Sequence, residues 1–245
     1  MKSIVQWLKL VVLAGFGLQL FFVAQIGLMR WVNPSSTAFE RSQIWQIVRH
    51  QGRLPWRQEW IDEDRISVNL KRAVMASEDS AFLQHNGIWW ESIEKAWGRN
   101  AKAKAKAAQR AEKQGPQSAA PSAKIVGGST ITQQLAKNLF LSGERTLIRK
   151  GQEFVLTLAL EAFLPKKRIL EIYLNHVEWG EGVFGAEAAS LHYFRKPAAR
   201  LTPLEAARLS VMLPRPRFFE KRPQSPYLAD RSQTIVNRMN DVAAP

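Results

Sequence analysis

The sequence predicts a mainly α-helical protein: an apolar N-terminal helix that spans a membrane, followed by a helical domain in water. Three observations carry this. Residues 10–29 (LVVLAGFGLQLFFVAQIGLM) contain no charge and only two polar side chains, Gln19 and Gln25. Beyond them, apolar residues recur at three- and four-residue spacing, and no series of alternating segments closed by hairpin turns stands out. Helix-start signals recur as well, clearest at Thr202-Pro203-Leu204-Glu205, a capping box with proline at the first helical position.

The apolar run comes first. As a helix, its twenty residues reach about 30 Å, the thickness of the hydrocarbon core of a bilayer. Lys2 and Lys9 precede it and Arg30 follows. This slight excess of positive charge places the N-terminus in the cytoplasm and the bulk of the chain outside. A cleaved signal peptide is the alternative, but the run is long for a signal core and no small-x-small site ends it. The expectation is an uncleaved single-pass anchor in the inner (cytoplasmic) membrane. Trp7, Trp31, Trp89 and Trp90 lie where indoles favour a membrane boundary.

Composition narrows the chemistry. The formal net charge is +14, which suits phosphorylated substrates, anionic headgroups or nucleic acid. With no cysteine there are no disulfides, thiolate nucleophiles or cysteine-held zinc. The four histidines, His50, His85, His176 and His192, stand at no metal-ligand spacing.

The chain divides into a cytoplasmic stub and anchor (1–32), a connector (33–66), a folded domain (67–216) and a C-terminal tail (217–245). In the connector, residues 38–50 predict a helix that Leu54-Pro55 breaks. Ser67 caps a helix over 67–77, and residues 88–97 (IWWESIEKAW) read as an amphipathic one. The stretch 99–124 is a basic, low-complexity insertion supplying a net +6 of the +14. Its first half has transient helical character, and residues 115–122 are expected to be disordered. It reads as a solvated loop or as a flap touching anionic lipid or substrate phosphate. It has no interleaved aromatics, so no nucleic-acid partner is expected. Ser129 or Thr130 caps a helix through Phe140. A helix over 145–163 follows, with Leu156, Leu158, Ala159, Leu160 and Phe163 inward. Pro165 separates it from a helix over 166–177. Gly180, Gly182 and Gly185 then make a turn-rich link.

Two acidic positions, Glu78 and Glu153, are set among Lys137, Arg145, Arg149 and Lys150. A carboxylate can take a proton from a hydroxyl while cations hold a departing phosphate, a pairing suited to moving a sugar off a pyrophosphate. Each piece also has a plainer reading. Glu78-Asp79 alone is a surface acidic pair at a helix end. Phe82 and His85 pack or hydrogen-bond the loop after it. Residues 127–138 (GGSTITQQLAKN) look like an anion site at a helix N-terminus or simply a capped helix start. Arg149 and Glu153 form an i,i+4 ion pair. Asn175 either ties helices together or meets substrate.

In combination these blocks resemble glycosyltransferase family 51, the peptidoglycan transglycosylases. The matching segments are 78–87 (EDSAFLQHNG), 127–138, 149–153 (RKGQE), 166–175 (KKRILEIYLN) with 180–194, and 201–216 (LTPLEAARLSVMLPRP). The resemblance implies a lysozyme-like α-helical domain seated on the extracytoplasmic (periplasmic) face of the membrane. Its substrates would be lipid II and the growing lipid-linked glycan. It implies Glu78 as the base on the acceptor 4-hydroxyl and Glu153 as the group assisting pyrophosphate departure with inversion, aided by a divalent cation (magnesium or manganese) and no organic cofactor. Lys137, Arg145 and Lys150 would hold the pyrophosphate, Ser129, Thr130 and Gln134 would position it, and Asp79 and Phe82 would shape the site. Membrane lipid and other cell-wall synthases are the implied partners. A lysozyme-type hydrolase with Glu78 as acid, or a non-catalytic cell-wall anchor, stays open at this point.

Overall fold

The computed structural model describes residues 2–52, 56–114, 128–141, 143 and 146–243. The Leu54-Pro55 break, the 115–122 segment and Arg145 lie outside them. In chain order the helices are α1 (Lys2–Leu28), α2 (Ala38–Gln51), α3 (Val68–Glu78), α4 (Trp90–Gln114), α5 (Ile131–Phe140), α6 (Leu147–Phe163), α7 (Lys166–His176), α8 (Ala186–Phe194), α9 (Pro203–Met212), α10 (Pro216–Glu220) and α11 (Pro226–Met239). Three short strands, β1 (Arg57–Gln58), β2 (Glu178–Gly180) and β3 (Val183–Phe184), form one sheet in the order β1-β3-β2. The described residues are thus mainly α. The glycine link folds as the β2–β3 hairpin, with β1 added in parallel to β3.

α1 is apolar on all sides, and Ser3–Leu28 is long enough to cross a bilayer. Its first two thirds are exposed, Leu13 and Phe16 among them. Its last turns are not free: Ile26 and Met29 are buried, and Phe22 meets Phe140 edge-on at 5.3 Å. Gln19 and Gln152 of α6 exchange amide hydrogen bonds of 2.9 and 3.0 Å. Arg168 of α7 then grips the chain just past α1, donating to the carbonyls of Met29 and Val32 and to Asn33.

The connector is likewise fixed. Thr37 and Glu40 form a reciprocal capping box at the start of α2. Glu40 is fully buried and also meets Gln58 (2.9 Å) and His176 Nδ1 (2.7 Å). One carboxylate therefore joins α2, β1 and α7. Further on, Lys71 of α3 reaches Glu63 at 2.5 Å, and the Glu63 amide donates to Glu171.

The hydrophobic core centres on α3, which buries Leu70, Ala73, Val74 and Met75. α9 and α11 cover it, α9 opening on the expected Thr202/Glu205 box. α11 buries Leu228, Ile235 and Met239 against this core. The segment after 216 is therefore an integral wall of the domain. Its period-3.6 apolar pattern needs α3 and α9 opposite it to be recognised as core.

α6 departs from expectation in one respect. Leu156 and Leu160 are buried and Ala159 packs on the core, but Leu158 and Phe163 are 44 % and 43 % exposed. Leu147 (92 %) and Ile148 (87 %) are more exposed still. An apolar face wider than the core can cover is a mark of an interaction surface.

Candidate active site

Glu78 ends α3, and Asp79 is the C-cap that turns the chain away. The two neighbours part company. Asp79 is buried; one oxygen accepts the Ile131 amide of α5 (3.0 Å) and the other meets His85 Nε2 (2.8 Å). His85 Nδ1 accepts the Gly87 amide, so Nε2 carries the hydrogen donated to Asp79. Asp79 is therefore a brace between the loop and α5. Phe82 is buried too, with Lys166 Nζ 4.5 Å above its ring. It supports the loop and is not open to substrate.

Glu78 is only half-buried, yet its carboxyl is tightly enclosed. Desolvation raises its pKa above the ordinary carboxylate range; the Gln134 hydrogen bond and the charge of Lys137 pull the other way, and Asp79 adds to the rise. Gln134 Nε2 donates to Glu78 Oε2 at 2.9 Å, and Tyr173 Oη donates to Gln134 Oε1 at 3.0 Å. Burial pushes the Tyr173 phenol far up, so it stays protonated and can only orient this amide as a donor to Glu78. Tyr173 lies in the 166–175 block, but its role has no sequence signal because Gln134 is distant in the chain.

α5 carries the next groups. Thr130 caps it, bonding to the Gln133 amide, and its hydroxyl donates to the Gly87 carbonyl at 2.6 Å. With Asp79 on the Ile131 amide, the start of α5 is closed by the protein itself. Of the two readings of this segment, the capped helix start is the one these contacts support, with Thr130 as a structural cap. Ser129 stays exposed. Gly87 has φ +83°, and a Cβ there would lie 2.7 Å from Thr157 Cγ2 and 2.8 Å from Glu161 Cγ, so the loop packs directly on α6.

Glu153 on α6 is buried, with Arg149 Nη1 3.0 Å from one oxygen and Lys150 Nζ on the other. Lys150 is half-exposed and also lines a pocket of about 230 Å³ with Trp97, Ser129 and Gln133. α5 thus joins two stations, reaching Glu78 through Gln134 and the Glu153 cluster through this pocket. Lys137 is exposed on the same helix. Asn175 is fully buried and makes three hydrogen bonds, two to the Ile61 backbone and one to the Glu171 carbonyl, so it ties the connector to α7.

A divalent cation finds one carboxylate at Glu153, and both its oxygens already face side-chain cations. Among the described residues no three His, Asp or Glu side chains gather as a metal cage. The residues do not fit a resident protein-held metal.

A helix long and apolar enough to cross a bilayer, joined to a helical domain with an enclosed carboxyl and a cation-held one, is an arrangement suited to glycosyl transfer from a phosphate carrier. Residues 46–240 match the transglycosylase family model. The chain belongs to the transglycosylase family, and its helical domain is of the lysozyme-like type. It is 46 % identical over 98 % of its length to the biosynthetic peptidoglycan transglycosylase of Paraburkholderia xenovorans (strain LB400), covering 95 % of that protein. With the protein of the same name from Janthinobacterium sp. (strain Marseille) the identity is 47 %, over the whole chain and 99 % of the relative. The match begins in α2 and runs through α11, which agrees with the packing of both onto the core.

Proposed function

We propose that this peptidoglycan glycosyltransferase polymerises glycan strands from lipid II at the outer surface of the inner membrane. The family, and relatives alike over nearly their full length, support peptidoglycan synthesis as the activity. The observation that carries the mechanism is the Tyr173–Gln134–Glu78 chain. It fixes the direction of a carboxylate whose proton affinity burial raises, while the Gln134 amide favours the ionised form that a base needs.

Glu78 takes the proton of the acceptor 4-hydroxyl. The oxygen attacks the anomeric carbon of the growing chain; the C–O bond to pyrophosphate breaks, and that group leaves with the electron pair. Attack opposite the leaving group inverts the centre and gives a β-1,4 link. Lys150, Lys137 and Arg149 stabilise the negative charge that develops on the leaving oxygens, and Glu153 holds two of these cations in place. A magnesium or manganese ion would be held mainly by the phosphate oxygens of the substrate itself, as such ions commonly are. No step of the transfer is assigned to it.

Gln19 supports the placement at the membrane. It lies nine residues before the end of α1, which is about 13 Å along the helix axis. Its bond to Gln152 draws α6 to that depth, where Leu147, Ile148 and Leu158 meet acyl chains instead of water. A domain set this low receives a lipid-linked substrate without lifting it out of the bilayer.

The test is lipid II consumption by the detergent-solubilised chain, wild type against Glu78→Gln, with products resolved by length. Long glycan from wild type and a loss of about 10²–10⁴-fold in the variant is the expected result. Equal polymer from both overturns Glu78 as base. No polymer from either, with cleavage of preformed glycan, replaces transfer with hydrolysis.

A further inference from the structure

A cavity of about 560 Å³ opens between the last turns of α1, the 33–36 segment and the end of α5. It holds none of the groups assigned to glycosyl transfer. Its lower part is lined by Phe21, Phe22 and Phe140, and its upper part by Ser35, Ser36 and Arg41. Phe21 lies seven residues inside the end of α1, about 10 Å below the water boundary. Arg30 over the Trp31 ring marks that boundary (5.8 Å), with the indole 77 % exposed. The cavity therefore runs from headgroup level down to acyl level.

Arg41 at its mouth is exposed and donates through Nη1 to the Ser36 carbonyl and hydroxyl (3.3 and 3.0 Å). Among the described residues it has no carboxylate partner, and its other donors point to no protein acceptor. We propose that this cavity is a seat for one glycerophospholipid of the surrounding outer leaflet, an acyl chain lying on the phenylalanines and the phosphate on Arg41 and the serine hydroxyls. The volume suits one small-molecule ligand. A single guanidinium matches the one negative charge of a phosphodiester, whereas a pyrophosphate calls for the several cations found at the Glu153 station. The seated lipid fills the seam between anchor and domain and holds α1 against α5.

The test is native mass spectrometry of the full chain in detergent, titrated with phosphatidylglycerol, with Arg41→Ala and Arg41→Lys beside wild type. Wild type retains one slowly exchanging lipid, Arg41→Ala loses about ten-fold in retention, and Arg41→Lys keeps most of it. Arg41 is on the surface, so in lipid-free detergent all three melt alike, and equal melting there excludes unfolding as the cause; with the phospholipid added, only the chains that retain it melt higher. Equal retention in wild type and Arg41→Ala overturns the seat. Displacement of the lipid by a polyprenyl phosphate, with glycan synthesis falling when Arg41 is replaced, overturns the choice of occupant and makes the cavity a substrate groove. The lipid readout does not depend on activity, so it stands or falls separately from the proposed reaction.

Discussion

At the residue scale, enclosure sets the chemistry of Glu78. A carboxyl whose folded pKa is raised binds a proton more tightly in the native state than in the unfolded chain. It therefore contributes stability while protonated, and this is lost as pH rises from the ordinary carboxylate range through the raised folded value. Glu78→Gln, which keeps an acceptor for Gln134, should melt higher than wild type near neutral pH, with the gain fading under acid conditions. Melting curves across pH check this, and a variant that is less stable at neutral pH contradicts the enclosure argument. Gln134 acts on the same proton. Its amide favours the ionised carboxylate, so Gln134→Met should move the acid limb of the pH–rate profile further up. Tyr173→Phe frees the amide to turn and should move it the same way by a smaller amount. An unmoved acid limb in both would remove Tyr173 and Gln134 from the account. The carboxylates were legible in the sequence, but not this relay, because its three members lie on three helices.

At the element scale, the start of α5 is where local and tertiary signals meet. The Thr130/Gln133 box is a local pattern and reads from sequence. The second cap, Asp79 on the Ile131 amide, spans fifty-two positions and does not. Asp79→Ala leaves that buried amide and the His85 ring without their acceptor and should cost about 2–4 kcal/mol. Thermal unfolding measures it, and Asp79→Asn should recover part of the loss. Gly87→Ala meets α6 side chains at 2.7–2.8 Å in a left-handed backbone and should cost more than about 1 kcal/mol. The element boundaries followed from caps and prolines at α3, α5 and α9. The outward face of α6 did not, since periodicity finds an apolar stripe without saying whether protein or lipid covers it.

At the scale of the whole molecule, the apolar N-terminal helix is part of the fold. Gln19–Gln152, the Phe22–Phe140 contact and the Arg168 clasp bind α1 to α5, α6 and α7. Polar pairs at membrane depth couple helices by about 0.5–2 kcal/mol. A double-mutant cycle with Gln19→Leu and Gln152→Leu, read as unfolding in detergent micelles, should return a coupling in that range. A coupling near zero would detach α6 from the anchor and undo the depth assigned to the domain.

What the sequence determined by itself was local or compositional: an uncharged stretch long enough to span, helix starts set by capping residues, and acidic and basic positions in family order. Such features need only near neighbours, so their physics is complete within a few turns of chain. The tertiary structure alone decided how each acidic group is held. It separated Glu78 in its enclosure from Asp79 in its cap, spent Thr130 and Asn175 on architecture, and made α11 a wall of the core. Burial, desolvation and hydrogen-bond partnership are set by residues distant in sequence and adjacent in space.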